Sequence, residues 1–151
     1  MSRHSVPEPG IEAEMLVREA LGLDRAQYFA ELSVLVPDER TEGLEALLAR
    51  RLAGEPLVYL TGRREFFGLN FAVTADVLVP RQETELLVEL ALEFLSRPDC
   101  FGAGAPALVA DVGTGSGAIA VSLAVNRSDA MVYATDISAA ALSVADSNAE
   151  A

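Results

Sequence analysis

The chain has 151 residues, of which 51% are hydrophobic and 23% are charged, a composition typical of a folded globular protein and not of a disordered one. Its formal net charge of −12 argues against tight binding of a nucleic acid backbone, which depends on clustered lysines and arginines. A single cysteine cannot form an internal disulfide. No uninterrupted apolar stretch is long enough to predict a membrane span.

Residues 1–55 have the pattern of a small helical domain. Apolar residues recur at spacings of three and four, and Gly22 can take the left-handed conformation that ends a helix. Asp24 is placed to cap a short second helix, and a third helix is expected from about Asp38 to Gly54. The apolar face of the third helix is predicted to consist of Leu44, Leu47, Leu48 and Leu52.

Residues 56–80 are rich in aromatic and β-branched side chains and are predicted to form a β-hairpin connector. Its breaks are expected at Gly62 and at a turn formed by Gly68-Leu69-Asn70. A helix should follow from about Glu83 to Ser96. Its predicted buried stripe consists of Leu86, Leu87, Leu90 and Phe94.

Residues 81–151 are predicted to contain the first part of a Rossmann-like domain, which makes the chain an α/β protein. The Gly/Pro-rich stretch around Cys100 reads as a loop, and neither this thiol nor His4 near the amino terminus is predicted to be functional or to bind a metal. The elements expected after that loop are those of a βαβ unit: strand 107–111, glycine turn 112–117, helix 118–126, strand 131–135 and a helix from Ser138.

The glycine turn is the strongest candidate for a ligand site. Gly113, Gly115 and Gly117 alternate between an apolar strand and a helix, which allows a sharp turn and lets a ligand lie against the backbone. Asp136 ends the next strand, where a carboxylate can accept hydrogen bonds from ribose hydroxyls. These features predict a site for a cofactor that contains a nucleoside.

Two cofactors fit this pattern. The sequence GTGSGA also satisfies the dinucleotide fingerprint, so a nicotinamide-dependent oxidoreductase remains an alternative. The acidic residue Asp111, two positions before the first glycine, and the glycine at every other position favour S-adenosylmethionine. An acidic strand end suits a sulfonium ligand with an amino group better than a doubly anionic pyrophosphate.

The segment GEPLVYLTGRREFFGLNFAVTADVLVPRQETELLVELAL, followed by DVGTGSGAIA and ATDIS, resembles the release factor glutamine methyltransferase family. The resemblance covers nearly all of the chain, and its most specific part is PRxxTE, here Pro80, Arg81, Thr84 and Glu85. It implies that the helical domain recognises substrate. It also implies a cytoplasmic location, release factors as partners, and no direct contact with nucleic acid or membrane.

The resemblance also implies the roles of individual residues. Gly113, Thr114, Gly115, Ser116 and Gly117 would line the methionine part of S-adenosylmethionine, and Asp136 would hold its ribose. Phe66, Phe67 and PRxxTE would lie near the cofactor or the target side chain. Two alternatives remain open: the two aromatic residues form the hairpin core, and Arg81 and Glu85 form a solvated pair at a helix start.

The family's reaction transfers a methyl group to the amide nitrogen of a glutamine, and an Asn-Pro-Pro-Tyr motif holds that amide. The sequence lacks this motif, which is expected beyond Ala151, so no catalytic residue is predicted here and the chain alone is expected to be inactive. Methylation of a glutamine in a ribosomal protein is the alternative within this chemistry. A module that only docks a partner is the alternative outside it.

Overall fold

The computed structural model describes residues 8–97 and 106–151, so His4, Cys100 and the loop expected around Cys100 lie outside the described residues. The chain divides into two compact units, Met1–Thr61 and Gly62–Ala151. The helices of the first unit are α1 (Pro9–Leu21), α2 (Arg25–Ala30), α3 (Asp38–Leu52) and α4 (Leu57–Thr61). The second unit contains β1 (Arg63–Phe66), β2 (Leu69–Ala72), α5 (Glu85–Leu95), β3 (Ala107–Val112), α6 (Ala118–Asn126), β4 (Ala130–Thr135) and α7 (Ala139–Glu150).

The first unit is helical, and its helix ends follow the predicted signals. Gly22 ends α1 with a φ of 67°, and its N–H bonds the last turn of that helix. Asp24 caps α2 through a capping box, in which the Asp24 and Gln27 side chains each accept a 2.8 Å bond from the other's backbone N–H. Glu12 of α1 pairs with Arg51 of α3, at 2.6 Å between Oε2 and Nε.

The connector predicted over residues 56–80 does not begin as a hairpin. Leu57–Thr61 form the short helix α4, in which the N–H groups of Tyr59 and Leu60 both donate to the carbonyl of Pro56. Proline is favoured at the start of a helix, and this local preference outweighs the β-branched character of the segment. The hairpin is confined to β1 and β2.

The turn of the hairpin lies earlier than predicted. Phe66 pairs with Leu69, so the turn consists of Phe67 and Gly68, whereas Leu69 and Asn70 already belong to β2. Both turn residues have positive φ, 51° at Phe67 and 75° at Gly68, which matches the twist of two-residue hairpins. The pattern missed this turn because a phenylalanine seldom adopts that conformation.

The helix predicted over 83–96 is α5, but its predicted buried stripe is wrong. Leu86, Leu87, Leu90 and Phe94 are all about half exposed. The buried residues are Val88 and Leu95, with Ala91 and Leu92 partly buried between them. They pack in a core with Phe66, Phe71 and Leu123.

The Rossmann-like part has the predicted order of elements. β3 and β4 pair in parallel from Ala107–Ala130 to Val112–Thr135, and α6 provides the crossover between them. Ala107 and Val109 of β3 and Val132 of β4 belong to or pack against the core. The α/β class predicted from the sequence is confirmed.

Candidate functional site

The glycine turn lies at the carboxyl ends of β3 and β4. The N–H groups of Gly113 and Thr114 both donate to the carbonyl of Thr135, at 2.8 and 2.9 Å, so the turn is tied to the end of the neighbouring strand. Gly113, Gly115 and Gly117 all have positive φ, between 57° and 80°. Residues with a side chain rarely adopt this conformation, which explains the alternation of glycines.

Asp136 lies against the turn, as its position at the end of β4 predicts. Its Oδ1 accepts a 2.9 Å hydrogen bond from the N–H of Ser138, and its Oδ2 accepts one of 2.9 Å from the N–H of Gly115. These two bonds, that from Ser138 first, hold the pKa of the Asp136 carboxyl below its usual value. Each oxygen still has a lone pair for a further donor.

A second carboxylate borders the turn. The hydroxyl of Thr114 donates to Oδ2 of Asp111 at 2.7 Å, and the Thr114 side chain is buried. Asp111 and Asp136 therefore both lie where the two parallel strands end, and each bonds one residue of the turn. The site presents two carboxylates at the carboxyl ends of the parallel strands, beside the glycine turn.

The two faces of the turn differ in the space they leave. A Cβ built on Gly113 or Gly115 would meet no atom within 4 Å, whereas one on Gly117 would lie 3.1 Å from Cβ of Ala145 in α7. The first two glycines thus leave backbone open to a ligand, and the third allows α7 to pack closely. The structure brings together all six predicted site residues: Gly113, Thr114, Gly115, Ser116, Gly117 and Asp136.

Asn148 also contacts the turn, and the sequence did not predict it as part of the site. This residue of α7 is 9% exposed, and its side-chain amide bonds the backbone of Ala72 in β2 and of Ser116 in the turn. The available signal was a polar residue in the buried stripe of α7, after Ala141 and Ala145 at helical spacing. Its partners are too distant in sequence to be inferred from that signal.

The aromatic residues and the PRxxTE segment have mainly structural contacts. Phe66 is 1% exposed and meets Phe71 edge to face, with 6.1 Å between ring centroids, which confirms the core interpretation for Phe66. Oε1 of Glu85 accepts a 3.2 Å bond from the N–H of Phe67. Within residues 8–97 and 106–151, Glu85 forms no ion pair with Arg81, so the alternative of a solvated pair at the helix start is wrong.

The described residues were also searched for membrane-spanning helices and for metal sites. No helix there is long and apolar enough to cross a membrane. Residues 8–97 and 106–151 also contain no group of three or more His, Cys, Asp or Glu side chains that could hold a metal ion.

Comparisons with known proteins match both parts of the chain. Residues 1–62 match the family model described as PrmC N-terminal domain, and residues 90–151 match that of the methyltransferase small domain. The release factor glutamine methyltransferase of Bordetella pertussis is 51% identical over 142 residues, which are 94% of this chain and 50% of that protein. The protein of the same name from Burkholderia pseudomallei is 49% identical over 143 residues, 95% of this chain and 48% of that protein.

A third relative has a lower identity to the chain. The release factor glutamine methyltransferase of Coxiella burnetii is 42% identical over 142 residues, 94% of this chain and 49% of that protein. The chain spans about half the length of the curated relatives it matches. Nearly all of the chain is therefore similar to about half of a release factor glutamine methyltransferase, and its two ends match a PrmC N-terminal domain and a methyltransferase small domain.

Proposed function

We propose that this chain carries the cofactor site and the substrate-recognition domain of a methyltransferase that uses S-adenosylmethionine. Its target would be the side-chain amide nitrogen of a glutamine in a peptide chain release factor, in the cytoplasm. The observation that carries the proposal is the glycine turn, whose open backbone is bordered by Asp111 and Asp136. The relatives' name supports the choice of substrate.

The residues present fit S-adenosylmethionine better than a dinucleotide. The Asp111 carboxylate beside the turn attracts a sulfonium and an amino group and repels a pyrophosphate with two negative charges, whereas Asp136 can accept ribose hydroxyls of either cofactor. The backbone at Gly113 and Gly115 has open space on the side where a Cβ would lie, so a ligand can lie directly against the chain. This comparison disfavours the nicotinamide alternative.

Each part of the site would have a defined task. When bound, S-adenosylmethionine would supply a methyl group that an amide nitrogen can accept. Asp136 would accept hydrogen bonds from the ribose hydroxyls, and residues 113–117 would line the methionine part. Because an amide nitrogen is a poor nucleophile, its orientation must account for most of the rate, and we assign no residue of this chain to that step.

The cofactor half of the proposal is tested by titration of the chain with S-adenosylmethionine or with NAD, followed by amide NMR. We expect S-adenosylmethionine to shift the resonances of Gly113 to Gly117 at millimolar concentration, and Asp136→Ala to abolish the shifts. Asp129→Ala is the matched control, because Asp129 is an exposed aspartate that pairs with Arg127. Stronger shifts with NAD would favour the oxidoreductase.

The substrate half is tested with radiolabelled S-adenosylmethionine and a release factor. We expect no label on the release factor, because the sequence lacks the Asn-Pro-Pro-Tyr motif that holds the amide in the family's reaction. Transfer of label by the chain alone would contradict that part of the proposal. A pull-down with release factor and, in parallel, with ribosomal proteins distinguishes the two glutamine substrates and also detects a module that only docks.

A further inference from the structure

The side-chain amide of Asn148 takes the place of a strand beside β2. Its Oδ1 accepts a 2.8 Å bond from the N–H of Ala72, and its Nδ2 donates a 3.0 Å bond to the carbonyl of the same residue. In an antiparallel sheet, the N–H and the C=O of one residue bond the opposite residue in this paired way. Asn148 thus fixes the backbone at the end of the hairpin, 76 residues away in sequence.

The second hydrogen on Nδ2 reaches the glycine turn. It is donated to the carbonyl of Ser116 at 2.9 Å, and this bond is buried. The carbonyl of Ser116 and the N–H of Gly117 belong to one peptide unit, and the N–H of Gly117 donates to Thr114 at 2.9 Å. Asn148 and Thr114 therefore hold that peptide from opposite sides.

We propose that Asn148 is a positioning residue that couples the hairpin to the glycine turn, so that a ligand on the turn also orders β2. The side-chain amide of Asn148 joins the two segments through three hydrogen bonds, two donated by Nδ2 and one accepted by Oδ1. Asn148 is only 9% exposed, so the loss of one of these hydrogen bonds should cost more stability than the loss of a bond at the surface. The meaning of this coupling for methyl transfer rests on the proposed function.

The coupling is tested first in the free chain by hydrogen exchange of single amides. Asn148→Asp keeps the volume of the side chain but donates no hydrogen bond. The variant loses both bonds that Nδ2 donates, to Ala72 and to Ser116, so we expect exchange at Ala72 and at Gly117 to rise together by about five- to a hundredfold, the effect of two lost hydrogen bonds. The amide of Arg127, bonded to Leu123 at the far end of α6, should not change.

Two further variants complete this test. Asn148→Ala introduces no charge and should give the same pattern if Asn148→Asp fails to fold. Ser147→Ala is the matched control, since Ser147 is the exposed neighbour on α7. Equal acceleration at Ala72, Gly117 and Arg127 would show a merely stabilising residue, and acceleration at Ala72 alone would show an uncoupled turn. Either result overturns the proposal.

The second test adds S-adenosylmethionine to the chain. In the unmodified chain we expect slower exchange at Gly117 and also at Ala72, whereas in Asn148→Ala the slowing should be confined to Gly117. Slowing at Gly117 without Ala72 in the unmodified chain overturns the coupling. No slowing at any amide contradicts the proposed cofactor, and the free-chain experiment then decides on Asn148 alone.

Discussion

Asp136 makes the stability of the folded chain depend on pH. Its folded-state pKa is lowered, so its contribution to stability is complete above the pKa of an unfolded aspartate and is lost as the pH falls through the lower folded value. Over the same interval, the amide of Gly115 should shift in NMR spectra as its acceptor becomes protonated. Asp136→Asn should remove this titration, and a Gly115 shift that persists in the variant would contradict the assignment.

Gly113 and Gly117 provide a matched pair for the two faces of the turn. Both have a φ near 80°, so alanine at either position should cost about 1–2 kcal/mol of unfolding free energy. At Gly117 the new Cβ also meets Ala145 at 3.1 Å, and overpacking should add about 1–3 kcal/mol. Chemical denaturation of the two variants measures the difference. Equal losses would mean that α7 yields to the added methyl group.

At the level of residues, local signals in the sequence were sufficient to predict the glycine turn, but not the side chains that hold it and the hairpin in place. Glycines at alternate positions and an acid after the next strand can be read in sequence because strand, turn and helix are consecutive. Asn148 could not be assigned a role, since its partners Ala72 and Ser116 are 76 and 32 residues away. The bond from Phe67 in the hairpin turn to the carboxylate of Glu85 could not be predicted either, because the two residues are 18 apart in sequence.

The helix α5 shows why periodicity fixed the element but not its buried face. Its sequence ELLVELALEFL is apolar on two sides, so both the stripe through Leu90 and the stripe through Val88 have helical spacing. Contacts with Phe66, Phe71 and Leu123 select the second stripe, and they join segments distant in sequence. Helical spacing in the sequence does not show which of the two faces is buried.

The two faces of α5 predict different costs for matched truncations. Val88 is 0% exposed, so Val88→Ala should lower the unfolding free energy by about 2 kcal/mol through lost burial and a cavity. Leu90 is 53% exposed, and Leu90→Ala should change it by about 0.5 kcal/mol or less. Thermal and urea denaturation of both variants test this order. A larger loss for Leu90→Ala would restore the stripe predicted from the sequence.

On the scale of the whole molecule, the parallel sheet is covered on one face only. Val109 and Val132 pack with the core, whereas Leu108, Val112, Met131 and Tyr133 on the other face are about half exposed or more. Parallel sheets are normally covered on both faces, and in the described residues β3 and β4 pair only with each other. Such a face favours association, against which the net charge of −12 acts.

We therefore expect the chain to associate reversibly, and more strongly at high salt, because salt screens the repulsion between like-charged copies and leaves apolar attraction intact. Sedimentation velocity at low and high ionic strength measures this directly. Leu108→Gln should weaken association without changing net charge, since Leu108 lies on the uncovered face. Leu52→Gln is the matched control, an exposed leucine at the end of α3. A monomer at every salt concentration, or equal effects of the two variants, would show that the uncovered sheet face does not drive association.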